Sequence, residues 1–116
     1  RSKLAMEETV SGGMADMIGL GQPLCTDPHG PAKLLAGEVE RLESHAKTMR
    51  LGPGFLGPNS GIGMVKMINA LGQMAWNYHA IEAMGEGREP PVKKGLLSSF
   101  IQHNARQQKQ AKALER

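Results

Sequence analysis

Ala15-Asp16-Met17-Ile18-Gly19-Leu20-Gly21 is a short apolar run held between the glycine turn Ser11-Gly12-Gly13 and Gln22-Pro23. Its lack of polar alternation reads as a buried strand rather than a half-exposed one. A buried strand leaves N–H and C=O groups unpaired unless another strand lies beside it. No second convincing strand occurs in the chain, so the rest of the sheet is expected elsewhere. Helix, strand, loop, helix is the order of an α/β protein with a parallel sheet.

Working outward, Lys3 to Val10 reads as a short helix capped by Ser2 and stopped by the glycines. A helical turn is expected from Pro23, and a second helix over about 31–36 after Asp27-Pro28. Glu38 to Ala46 is polar and expected to be exposed. Ser60 opens the longest predicted helix, about 61–84. Lys66, Asn69, Gln73 and Asn77 form one polar stripe on it, and nearly all its other positions are apolar. A last helix is expected from about Lys93 toward Leu114, with Leu96, Leu97, Phe100 and Ile101 packing and the end beyond Asn104 fraying.

The chain has 116 residues and a mass of 12.5 kDa, enough for one domain at most. With 40% hydrophobic and 22% charged residues, it is neither a disordered polyelectrolyte nor a membrane protein. No apolar run approaches the roughly 18–20 residues a membrane span needs. The net charge of +3 gathers toward the C-terminus. That excess reads as a solvated helix face, and no aromatic platform interleaves with it, so nucleic acid is not an expected partner. The lone Cys25 cannot form an internal disulfide, which fits a reducing, cytoplasmic setting. The chain opens on Arg1 with no basic-then-apolar leader, and reads as a piece of something longer.

Gly52-Pro53-Gly54-Phe55-Leu56-Gly57 matches G-x-G-x-x-G literally. It lacks a preceding apolar strand, and Pro53 and Pro58 oppose helix growth, so it reads as a turn series. His29, His45, His79 and His103 are scattered without metal-ligand spacing, and no nucleophile–base pair emerges. The end of the predicted strand is the better site. Gly21 lets an anion approach the backbone, Gln22 can donate from its amide, and a turn from Pro23 would aim N–H groups at a phosphate.

Residues 15–28, with Leu24, Cys25, Asp27 and Pro28 following Pro23, resemble the last barrel segment of the old yellow enzyme family, the NADH:flavin oxidoreductases. In that family a Gly-Gly-Phe-Arg strand end precedes a helix and then a strand ending in a Gly-Arg-Pro-Leu-like element. Arg1 would close the first of these. Leu34-Leu35-Ala36-Gly37-Glu38 and Leu51 to Ser60 resemble the C-terminal extension of one subgroup. The resemblance implies an FMN-dependent (β/α)8 barrel, with residues 1–37 as its end and 38–116 as a helical extension, mostly helical in isolation. It implies hydride transfer from NAD(P)H through the flavin to a small electron-poor acceptor, such as an activated alkene or a quinone. The partners implied are the rest of the barrel upstream and, as an option, further copies of the chain. Gly21 and Gln22 match the Gly-Arg pair that holds the FMN phosphate; Gln22 departs from the pattern, which implies weaker FMN retention. Catalytic residues would lie in earlier strands, so none is assigned.

A different reading makes the chain an independent helical adaptor. Its Met-rich face would grip a protein partner, and its basic C-terminal helix a polyanion.

Overall fold

The computed structural model describes residues 2–114, and these are mostly helical. Four α-helices follow in order: α1 (Lys3–Ser11), α2 (Gly30–Ala36), α3 (Gly63–Gly85) and α4 (Leu96–Leu114). Single 3-10 turns cover Gln22–Cys25 and Gly54–Leu56. The chain divides into two compact units, Arg1–Ser44 and His45–Arg116. The resemblance had put the division between residues 37 and 38.

The predicted strand does not form. Residues 14–21 are irregular, and among the described residues the β pairing is limited to an isolated bridge between Ser2 and Arg41. The reason is the one that made the strand conspicuous: it has no neighbour to pair its backbone groups. Met14 and Met17 are left exposed, Met17 at 83%.

In the first unit α1 ends as its glycines dictate. Gly13 sits at φ +69°, its N–H donates to the Val10 carbonyl, and the Met14 N–H donates to Thr9. That pair of bonds is a Schellman stop, and Gly37 closes α2 the same way. Ser2 occupies the N-cap position of α1 but its side chain makes no capping bond. Asp27 braces the approach to α2 rather than capping it. Its carboxylate accepts the His29 N–H at 3.1 Å and the Lys33 ammonium at 2.9 Å. The Lys33 hydrogen bond leads the causes that hold the Asp27 carboxyl below its usual value. Leu34, Leu42 and Pro23 are buried in this unit, while α1 buries nothing and Leu35 of α2 is 80% exposed.

In the second unit α3 and α4 pack together around Met49, Trp76 and Leu96, with Leu51 and Val92 alongside. The Trp76 indole N–H donates to the Lys94 carbonyl at 3.0 Å. Gly72 allows the close approach, since a Cβ there would stand 2.3 Å from Leu96 Cδ2. The helix begins at Gly63, and the buried Ser60 hydroxyl accepts the Ile62 N–H.

The polar stripe of α3 does not simply face water. Asn69 is 1% exposed: its oxygen accepts the Leu51 N–H at 3.1 Å and its NH2 donates to the Leu56 and Val65 carbonyls. Gln73 donates to the Met49 carbonyl. The loop before α3 has no regular structure to absorb its backbone groups, so the stripe absorbs them. The displaced apolar residues are exposed instead. On α4, Leu96 is buried and Phe100 half-buried, whereas Leu97 and Ile101, expected to pack, are exposed. The helix continues to Leu114 with exposed side chains.

Candidate functional site

The first unit holds a cleft of about 370 Å³. Ala5, Met6 and Thr9 of α1 form one wall; residues 18–21 and Pro23 form the other. Gly21, singled out from the sequence, therefore lines a cavity. Nothing lies within 4 Å of where a Cβ on Gly21 would stand, so its backbone is open to close approach. Gln22 begins the 3-10 turn beside it and is half-buried.

The turn offers less to an anion than a helix start would. Pro23 has no N–H, and the Leu24 N–H is taken by the Gly21 carbonyl at 3.0 Å. Four residues of 3-10 geometry also sum too few peptide dipoles to act as an anion site. No charged side chain lines the cleft. The Thr9 hydroxyl is committed to the Ala5 carbonyl at 2.7 Å. A phosphate end of FMN would therefore meet the open Gly21 backbone in a cleft lined by no cation, and Gln22 is not among the lining residues. The Cys25 thiol, half-buried, donates weakly to the Gly21 carbonyl.

The remaining sequence candidates resolve as structure. Gly52 to Gly57 forms turns around the 3-10 segment, with Gly54 at φ +58°, and Asn69 clamps both ends of that loop. His79 is buried against α4, with Nε2 3.3 Å from the Ser99 carbonyl. Burial pushes its pKa down, and the nearby Lys94 ammonium acts in the same direction. His103 stacks on Tyr78 at a ring-centroid distance of 5.7 Å. Among the described residues no group of three or more His, Cys, Asp or Glu could hold a metal ion. Among the described residues no helix is long and apolar enough to cross a membrane.

One surface feature entered the sequence reading only as the Met-rich face of the adaptor alternative, without its residues. Met64, Met67, Leu71, Met74, Tyr78 and Ile81 are all exposed on α3. They follow steps of three, four, three, four and three. That alternation was present in the sequence, merged into a broad apolar helix, and it becomes distinct once the other face is seen to be filled. No protein-family model, curated protein or solved structure matches the chain.

Proposed function

We propose that the chain is the C-terminal part of an FMN-dependent oxidoreductase of the old yellow enzyme type, a (β/α)8 barrel. In this reading residues 14–24 supply a barrel strand and the phosphate end of the flavin site. The observation that carries it is the condition of residues 14–20: mostly apolar, outside any β pairing and only partly buried, directly ahead of an open Gly21. An apolar segment of this kind gains most by joining a sheet whose other strands pair its backbone. The exposure of Leu4, Leu35 and Met17 in the same unit supports a neighbour over that surface.

A bound flavin would supply the transfer of hydride from NAD(P)H to the electron-poor acceptor. Gly21 would leave room for its phosphate, and the Gln22 amide would donate to it. Lacking a guanidinium at that position, the site holds the phosphate with fewer and weaker contacts. The cellular setting proposed with this function is the cytoplasm.

Amide hydrogen exchange tests the reading. In the 116-residue chain alone, residues 14–21 are expected to exchange at nearly unprotected rates. In the complete polypeptide that contains this chain they are expected to be strongly protected. Rapid exchange in both settings would overturn the assignment of a barrel strand.

A further inference from the structure

We infer that α3 pairs with α3 of a second copy of this chain, antiparallel, through Met64, Met67, Leu71, Met74, Tyr78 and Ile81. The steps along this row are the a/d alternation of a helix that meets another helix at a shallow angle. The opposite side of α3 is already filled by α4 and by the loop that Asn69 clamps, so the row is left over after the unit's own packing.

Two observations favour a second copy as the occupant. The first is area. The six side chains expose roughly 600 Å² per copy, so a pairing that covered them fully would bury roughly 1,200 Å², against the about 1,000 Å² a specific interface requires.

The second is shape. Met74, Asn77, Tyr78 and Ile81 line a depression of about 260 Å³. Residues at those spacings form the four-cornered hole that receives a knob from a facing helix. A two-fold axis between Leu71 and Met74 brings Met67 of one copy opposite Tyr78 of the other, into that hole. The self-matching row makes the contact isologous and closed.

Opposed macrodipoles favour the antiparallel orientation.

Sedimentation equilibrium of the full chain is expected to give twice the 12.5 kDa chain mass. Leu71→Lys/Met74→Lys places four cations at the axis and is expected to give the monomer mass with unchanged helical circular dichroism, since both side chains are exposed. In a Cys25→Ser background, Met67→Cys/Tyr78→Cys is expected to form interchain disulfides, and Met67→Cys alone is not. A monomeric wild type at hundreds of micromolar, a double-lysine variant that still dimerises, or self-crosslinking of Met67→Cys alone would each overturn the proposal.

Discussion

The Asn69 carboxamide oxygen accepts the backbone N–H of Leu51 at 3.1 Å, across 18 residues of chain. Its NH2 holds the Leu56 carbonyl at 3.0 Å, so one buried side chain ties both ends of an irregular loop to α3. Asn69→Leu keeps the volume and removes both bonds. Leaving the Leu51 N–H and the Leu56 carbonyl unpaired costs about 1–3 kcal/mol each, so the variant is expected to lose about 2–6 kcal/mol. A urea-unfolding midpoint lowered accordingly, with α3 still helical, checks it.

Gly72→Ala sets two effects against each other. Alanine favours the helix by about 1 kcal/mol over glycine. Its Cβ, however, would stand 2.3 Å from Leu96 Cδ2 and 2.6 Å from Cγ. Leu96 is 1% exposed and has nowhere to swing. Overpacking of this kind costs about 1–3 kcal/mol, and two contacts this short place it at the upper end. The clash wins, and thermal unfolding is expected several degrees lower than in the wild type.

His79 makes the second unit sensitive to acid. Burial, then the Lys94 ammonium, hold its folded pKa below the ordinary 6.5. Unfolding restores the ordinary value, so between the two values the unfolded chain binds more protons. The stabilisation is complete above pH 6.5 and is lost as pH falls toward the folded value. Urea midpoints are expected to drop between pH 7.5 and 5.5 in the wild type, and to drop less in His79→Leu.

The helices were readable from residue spacing, because caps, glycine stops and prolines act locally. Gly13 and Gly37 end α1 and α2 where their lack of a Cβ permits a positive φ. The apolar run at residues 14–21 was readable as composition but not as conformation, since a strand exists only with a partner. The polar residues of α3 misled for a related reason. Asn69 and Gln73 serve backbone groups in a loop 13–24 residues away, and helical periodicity carries no information about that demand. Gly21 could be picked as an open position from sequence. The commitment of the Leu24 N–H to Gly21, which weakens the turn as an anion site, needed coordinates.

Gln22→Arg in the complete polypeptide is expected to tighten FMN binding by about tenfold or more. A hydrogen bond to a charged group contributes about 1.5–3 kcal/mol, and the guanidinium adds a second prong and a charge. Titration of the flavin-free protein with FMN checks it, and riboflavin, which lacks the phosphate, is expected to show no gain. Unchanged or weaker FMN affinity would remove the phosphate role assigned to Gln22.

Flavin content is the most direct measurement. The complete polypeptide that contains these 116 residues is expected to be yellow, to release about one FMN per chain on acid denaturation, and to be bleached by NADH or NADPH without oxygen. A well-folded, colourless polypeptide that takes up no added FMN would contradict the account.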